Sequence, residues 1–148
     1  MSFDFSKFYR YDELTDRLHT LVNEYPDLLR MDSMGESFEG RKIWVLTLTR
    51  FATGSADEKP ALWVDGNIHA AELLASTAVL YFLDHMLQRA SSDPTVSHLL
   101  DTRSIYLVPR LCPDGAELAL SERPRHIRSS TRAYPFEDYP LDGMLIED

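Results

Sequence analysis

The sequence predicts an α/β fold in which a mixed β-sheet, opened by an N-terminal antiparallel hairpin, is flanked by helices. Helical and strand-like patterns alternate along the chain, in the order helix, hairpin, strand, helix, strand. This order is typical of helices that cover a sheet. The chain has 148 residues, of which 44% are hydrophobic, and that is enough for one domain with a buried core.

The first element is a helix predicted over residues 11–25. Its apolar side chains fall on one helical stripe, formed by Leu14, Leu18, Leu21, Val22 and Tyr25. We expect Asp12 to be the N-cap and Pro26 to end the helix. His19 lies off the stripe and is expected to face solvent.

The hairpin is predicted from two strand-like segments, residues 29–37 and 42–49. The second segment is rich in residues that favour strands, namely Ile43, Trp44, Val45, Leu46 and Thr47. Only residues 38–41 separate the two segments, and this short connection favours antiparallel pairing. A polar loop is expected over residues 51–60.

Two further strands and a long helix are predicted in the middle of the chain. Residues 61–64 and 104–108 are apolar and are expected to be buried strands. Residues 73–89 form a helix that is apolar nearly all round, which predicts burial in a layered core. A helical turn is expected at residues 96–100.

The C-terminal part changes character twice. Residues 112–115, Cys-Pro-Asp-Gly, indicate a tight turn, and residues 116–121 are expected to form a short helix. A basic cluster follows, made of Arg123, Arg125, His126, Arg128 and Arg132. Residues 134–148 are rich in proline, tyrosine and acidic residues and show no periodicity. The predicted division is therefore between residues 1–122 and an irregular, basic and then acidic segment, 123–148.

Charge and cysteine content exclude several classes of protein. A net charge of −9 argues against nucleic-acid binding. Cys112 is the only cysteine, so an intramolecular disulfide and a cysteine zinc cluster are both excluded. Residues 1–6 show no signal peptide, and the most apolar run, residues 73–83, is too short to span a membrane. We expect a cytoplasmic protein that does not bind membranes, although one cysteine is also compatible with export.

The strongest chemical signal is a histidine and a glutamate at a strand-to-helix junction. His69 and Glu72 are three residues apart, and residues at that spacing share one face of a helix. An imidazole and a carboxylate suit zinc. Asp65, at the end of the strand, would orient His69 or cap the turn. Taken alone, the pattern is weak, because it is more often that of a surface histidine near a glutamate at the start of a helix.

Four motifs in a fixed order carry a resemblance to a known family. Asp65-Gly66-Asn67-Ile68-His69-Ala70-Ala71-Glu72 resembles the zinc-binding signature of the zinc metallocarboxypeptidases (carboxypeptidase A/B-like). Residues 11–14, 35–43 (Gly-Glu-Ser-Phe-Glu-Gly-Arg-Lys-Ile) and 108–115 are similar to the start, the hairpin and the Pro-Asp-Gly turn of that family. The resemblance implies a carboxypeptidase fold of the phosphorylase/hydrolase-like type and a zinc-dependent hydrolysis of C-terminal peptide bonds.

The resemblance also implies roles for individual residues. His69 and Glu72 match the first two zinc (Zn2+) ligands. Arg125 and Arg128 match the spacing of an arginine pair that binds substrate, and the second of the pair stabilises the oxyanion. Arg128 is therefore the catalytic candidate, and Arg125 is expected to bind a neighbouring carboxylate or to be structural. Alternatively, the arginines form a solvated face, or Arg123 or Arg132 is the true match.

The sequence also departs from the family pattern at several positions. Ala71 stands where the family commonly has arginine, and Cys112 replaces an asparagine. The third zinc-ligand histidine, an Asn-Arg pair and the glutamate general base have no match in the chain, because His85, His98 and His126 lie in no matching motif. The chain is therefore expected to be the N-terminal part of a carboxypeptidase catalytic domain, inactive alone.

The expected partner is the C-terminus of a peptide or protein, bound as substrate. Two alternatives stay open. One is a zinc amidohydrolase or deacylase of N-acyl amino acids. The other is a non-catalytic remnant that binds peptides or partners. An incomplete domain is also expected to leave a sheet edge uncovered, through which the chain would self-associate.

Overall fold

The computed structural model describes residues 3–132 and contains four helices and four strands in that part of the chain. The helices are α1 (Tyr11–Glu24), α2 (Leu73–Arg89), α3 (Pro94–Thr102) and α4 (Pro113–Ala119). The strands are β1 (Leu29–Glu36), β2 (Lys42–Leu48), β3 (Ala61–Asp65) and β4 (Ser104–Val108). Two 3-10 turns, Phe51–Thr53 and Ala56–Glu58, lie in the predicted polar loop. The predicted acidic part of the C-terminal segment, residues 134–148, lies outside the described residues.

The strands form one mixed sheet in the order β1-β2-β4-β3. β1 and β2 are antiparallel, with Leu29 opposite Leu48, so the predicted hairpin is confirmed. β4 runs antiparallel to β2 and parallel to β3. The parallel connection from β3 to β4 is made by α2 and α3, as expected for a helical crossover.

The core forms where the sheet meets the helices. β4 is central, and four of its five residues are buried. Leucines of β2 and β4 join leucines of all three larger helices in one apolar cluster, which includes Leu18, Leu46, Leu83, Leu100 and Leu107. These side chains recur at the helical and strand periods that the sequence showed.

The predicted burial of β3 is wrong for the described residues. Within that part of the chain β3 pairs only with β4, and it is an edge strand. Leu62 and Trp63 are 52% and 50% exposed. An apolar run of this length is typical of a buried strand, but burial depends on a second neighbour that local sequence does not specify.

The prediction that α2 is buried on all sides is also wrong for the described residues. One side of the helix packs into the core through Val79, Leu83 and Leu87. Leu74 is 70% exposed and Tyr81 is 58% exposed. None of the helices in residues 3–132 has the length and apolarity needed to cross a membrane.

The start of α1 also differs from the prediction. Arg10, not Asp12, occupies the N-cap position and makes no side-chain cap. Instead, Glu117 Oε1 of α4 accepts the backbone N–H of Tyr11 at 2.7 Å. Because a carboxylate from a distant helix satisfies this N–H, no local capping residue is needed.

Two other helices begin earlier than predicted. Asp93 caps α3 by accepting the backbone N–H of Thr95 at 2.8 Å, so the predicted turn at 96–100 is part of a nine-residue helix. α4 begins at Pro113, so the predicted turn is the first turn of the helix itself. Proline fits the first helical position because its missing N–H would have no partner there.

Candidate metal centre

The loop between β3 and α2, residues 66–72, is held at the end of the sheet by backbone hydrogen bonds. Gly66 N–H donates to Val108 O at 2.9 Å, and Leu111 N–H donates to Gly66 O at 3.0 Å. A Cβ at Gly66 would lie 2.6 Å from the backbone oxygen of Ala75. Glycine therefore lets the loop approach α2 closely enough to turn at this point.

Asn67 gives the loop its shape, a role that its place in the sequence did not predict. Its φ is +59°, a left-handed conformation that asparagine tolerates better than most residues. The side chain is buried, and its Nδ2 donates to the carbonyls of His69 at 2.8 Å and Ala70 at 3.0 Å. An asparagine directly after glycine at a strand end is the signal that would have identified this turn.

His69 and Glu72 do converge, although not on a helix. Residues 69–72 form a turn in which Glu72 N–H donates to His69 O at 3.0 Å, and α2 begins only at Leu73. This turn brings His69 Nδ1 to 3.1 Å from Glu72 Oε2. The two side chains therefore meet as expected. They meet because of this turn, not because they share a face of a helix.

Arg128 completes a cluster of three side chains. Its Nη2 lies 2.8 Å from His69 Nε2, and its Nη1 lies 3.9 Å from Glu72 Oε1. The backbone brings it there, because Ala70 N–H donates to Arg128 O at 2.8 Å and Ala71 N–H donates to the carbonyl of Ile127 at 3.1 Å. We call His69, Glu72 and Arg128 the metal-site cluster.

The contacts of the His69 ring with Arg128 and Glu72 favour one tautomer. A guanidinium has only donors, so the nitrogen that faces Arg128 must accept. Nε2 therefore carries the lone pair, and the proton lies on Nδ1, which donates to Glu72 Oε2. A metal ion shared with Glu72 would bind at Nδ1, so the proton would first have to leave this nitrogen, because a metal ligand needs a free lone pair.

The other arginines of the basic cluster do not contact His69 or Glu72 through any described interaction. The Arg125 side chain is exposed, and its backbone N–H donates to Leu118 O at 3.4 Å. Arg123 and Arg132 are exposed as well. Of the arginines considered from sequence, the described contacts place Arg128 at the cluster.

Asp65 and Cys112 lie close by but have other surroundings. Asp65 Oδ2 accepts a hydrogen bond from the Trp63 indole at 2.7 Å, while the ring nitrogens of His69 face Glu72 and Arg128. Cys112 is partly buried, and burial raises the pKa of its thiol. A raised pKa suits a packing role rather than a nucleophilic one.

The donor chemistry of the cluster fits zinc in kind but not in number. One imidazole nitrogen and one carboxylate oxygen are common zinc ligands, and catalytic sites ordinarily use three protein ligands. Across residues 3–132, no group of three or more His, Cys, Asp or Glu side chains is arranged to hold a metal ion. The described residues supply two of the ligands that a catalytic zinc would need.

Sequence comparisons give the cluster a context. A family model described as zinc carboxypeptidase matches residues 14–135. Carboxypeptidase A2 of Rattus norvegicus is 34% identical over 114 residues, which is 77% of this chain and 26% of that protein. Carboxypeptidase B of Astacus astacus is 34% identical over 112 residues, 76% of this chain and 35% of that protein. The chain thus spans about a quarter to a third of the length of these relatives.

Solved structures agree on the fold. Bovine thrombin-activatable fibrinolysis inhibitor, in complex with tick carboxypeptidase inhibitor, superposes with a TM-score of 0.73 at 21% identity, over 88% of this chain and 40% of the other. Carboxypeptidase A of Helicoverpa armigera gives a TM-score of 0.67 at 26% identity, over 88% of this chain and 31% of the other. The four-stranded sheet and its helices therefore correspond to part of a larger fold.

Proposed function

Because the chain belongs to the zinc carboxypeptidase family, we propose that it forms part of a zinc-dependent metallocarboxypeptidase. The reaction would be hydrolysis of the C-terminal peptide bond of a peptide or protein substrate. The single observation that supports this most is the convergence of His69, Glu72 and Arg128 at the end of the sheet. Since the chain covers only part of its relatives, the activity is proposed for the whole protein.

His69 and Glu72 are proposed to hold the metal. Zinc, when bound, supplies Lewis acidity for the scissile carbonyl and for activation of water. His69 would offer Nδ1, the nitrogen that faces Glu72, once the proton has moved from Nδ1 to Nε2, and Glu72 would offer a carboxylate oxygen. The hydrogen bonds of the Asn67 side chain hold the turn that carries His69 and so preorganise the pair.

Arg128 is proposed to bind the oxygen on which negative charge develops during hydrolysis. A guanidinium stays charged at every working pH and forms short hydrogen bonds to anionic oxygen. The side chain is 42% exposed, so a substrate can reach it. To act in this way, Arg128 would exchange its contact with His69 Nε2 for one with the substrate. Arg125 is proposed as a substrate-binding residue on the resemblance alone.

The 148-residue chain by itself is proposed to be inactive. Only two candidate ligands converge in residues 3–132, and the metal-site cluster includes no second carboxylate that could serve as a general base. This ligand count also favours a second reading, in which the chain alone is a non-catalytic remnant. The deacylase alternative has no observation that favours it.

Calorimetric titration with Zn2+ tests the ligand assignment on the 148-residue chain. We expect weak 1:1 binding that His69→Ala abolishes. His98→Ala is the matched control, because His98 is an exposed histidine on α3 away from the cluster. Zinc binding that survives His69→Ala but is lost in His98→Ala would overturn the assignment.

An assay with C-terminally free and C-terminally blocked peptides tests the activity. No turnover is expected from the chain alone. Turnover restricted to free C-termini, lost on chelation and in Arg128→Gln, would overturn the proposal that the chain is inactive. The same result would support the carboxypeptidase chemistry.

A further inference from the structure

A buried carboxylate joins the β1–β2 turn to the start of α4. The Asp114 side chain is fully buried, and its Oδ1 accepts hydrogen bonds from Ser37 Oγ at 2.7 Å and Arg41 Nη1 at 2.8 Å. Its Oδ2 accepts the backbone N–H of Glu39 at 3.0 Å. Three donors on one buried carboxylate make a rigid junction. The turn therefore has a fixed position relative to α4.

The same turn presents Glu39 to the segment that carries Arg128. Glu39 Oε2 accepts from Arg41 Nη1 at 2.6 Å, and Glu39 Oε1 accepts from the Thr131 hydroxyl. The hydrogen bond from Thr131 and then that from Arg41 lower the pKa of the Glu39 carboxyl. Glu39 thus links the rigid turn to a residue only three positions after Arg128.

Arg128 is consequently held between two anchors. On its N-terminal side, Ile127 is buried, and its carbonyl accepts from Ala71 N–H. On its C-terminal side, the Thr131 hydroxyl is tied to Glu39. Between them the backbone passes so close to α4 that a Cβ on Gly115 would lie 2.5 Å from Ser129 O.

We propose that Glu39 and Thr131 are positioning residues that hold Arg128 against His69. Neither contacts His69 or Glu72 through any described interaction, so they act through the backbone of residues 128–131. Ala70 N–H still binds Arg128 O when the second anchor is removed, but residues 129–131 can then move, and the Arg128 side chain is expected to lose the 2.8 Å contact between its Nη2 and His69 Nε2. The importance of the Arg128–His69 contact for hydrolysis rests on the proposed function. The existence of the contact does not depend on that function.

NMR of the isotopically labelled 148-residue chain, kept metal-free with a chelator, reads the contact directly. Wild type is expected to show a nuclear Overhauser effect between the Arg128 side chain and the His69 ring. The ring ¹⁵N shifts of His69 are expected to report a proton on Nδ1. The chemical shifts of the core amides of Leu46 and Leu107 report whether a variant is still folded. If Thr131 had only a structural role, both His69 signals would be unchanged in every variant whose core amides keep their shifts.

Four substitutions separate the contribution of the Thr131–Glu39 hydrogen bond from that of its surroundings. Thr131→Val removes the hydroxyl and is expected to abolish the Overhauser effect, while Thr131→Ser keeps the hydroxyl and the signal. Glu39→Ala removes the acceptor and is expected to give the same loss as Thr131→Val. Ser130→Ala is the matched control, because among residues 3–132 the Ser130 hydroxyl has one hydrogen bond, accepted from the nearby backbone N–H of Arg132 at 3.3 Å.

The signal is expected to persist in Ser130→Ala. Persistence of the Overhauser effect in both Thr131→Val and Glu39→Ala would overturn the proposal, and so would an equal loss in Ser130→Ala. Failure of zinc binding or of catalysis would defeat the proposed function without touching this result. The two ideas can therefore fail separately.

Discussion

Glu117 Oε1 of α4 accepts the backbone N–H of Tyr11 at 2.7 Å, across 106 residues of sequence. The other oxygen of the same carboxylate accepts from Arg10 Nε at 2.7 Å. Oε1 also lies 3.6 Å from Nη1 of Arg110, which is 5% exposed. Burial disfavours the charged form of Arg110 and lowers its pKa to about 10. One side chain thus caps α1 and offsets a buried charge.

Glu117→Ala is expected to destabilise the fold more than a simple cap deletion does. Losing a cap costs about 1 kcal/mol, and leaving a buried charge without its partner brings the total to about 3–5 kcal/mol. Chemical denaturation followed by circular dichroism measures the change. Glu122→Ala is the control, because Glu122 is exposed a few residues further on. Equal effects of the two substitutions would contradict the assigned role.

Gly115→Ala is expected to disturb the metal-site cluster indirectly, through the backbone segments that carry His69 and Arg128. The added Cβ would lie 2.4 Å from Ala70 Cβ and 2.5 Å from Ser129 O, so the loop before α2 or the segment after Arg128 must move. Overpacking of this kind costs about 1–3 kcal/mol. We expect reduced stability together with shifted His69 resonances.

Ala70→Gly provides an internal test of that clash. Combined with Gly115→Ala, it removes one of the two close contacts and is expected to restore part of the lost stability, while the contact with Ser129 O remains. Strict additivity of the two substitutions, measured by denaturation of the single and double variants, would show that the two side chains do not meet.

Asp114 is expected to make the fold sensitive to acid. Burial raises the pKa of its carboxyl, but the hydrogen bonds from Ser37, Glu39 and Arg41 outweigh burial and lower the pKa below its ordinary value of 3.8. The folded state therefore holds its proton less tightly than the unfolded state. Its contribution to stability is full above the unfolded pKa and is lost as the pH falls through the folded pKa.

Asp114→Asn tests this sign. The variant is expected to be less stable than wild type at pH 7, and the difference in unfolding free energy is expected to shrink as the pH is lowered below about 4. Denaturant unfolding at a series of pH values from 7 to the acid limit of the fold measures it. A difference that grows toward acid would mean that the carboxyl pKa is raised in the folded state.

Much of the fold follows from local sequence. The bounds of α2 match the predicted residues 73–89, and the hairpin pairs as expected, because helical and strand periodicity and a short turn are local properties. The predictions that are wrong depend on residues that are distant in the sequence. Asp12 was expected to cap α1, but Glu117 provides the carboxylate, and β3 was expected to be buried, but it has one neighbour in the described residues.

The candidate site divides in the same way. The juxtaposition of His69 and Glu72 was expected from a spacing of three residues, and the resemblance pointed to Arg128. Asn67 and the backbone bonds from residues 70 and 71 to Arg128 O and Ile127 O were not expected. A left-handed asparagine leaves only a weak sequence signal, and pairing between segments nearly 60 residues apart leaves none.

The exposed edge of the sheet is proposed as the surface through which the chain self-associates. Leu62 and Trp63 of β3 are half exposed, and no other strand in residues 3–132 pairs with the outer side of β3. Unpaired strand edges with apolar side chains favour pairing with another chain.

Sedimentation velocity is expected to show concentration-dependent dimers that Leu62→Lys disrupts, because a lysine on an edge strand discourages pairing. Phe38→Lys is the matched control, since Phe38 is 63% exposed but lies in the β1–β2 turn. Dimers lost in the Phe38 variant and kept in the Leu62 variant would place the contact elsewhere.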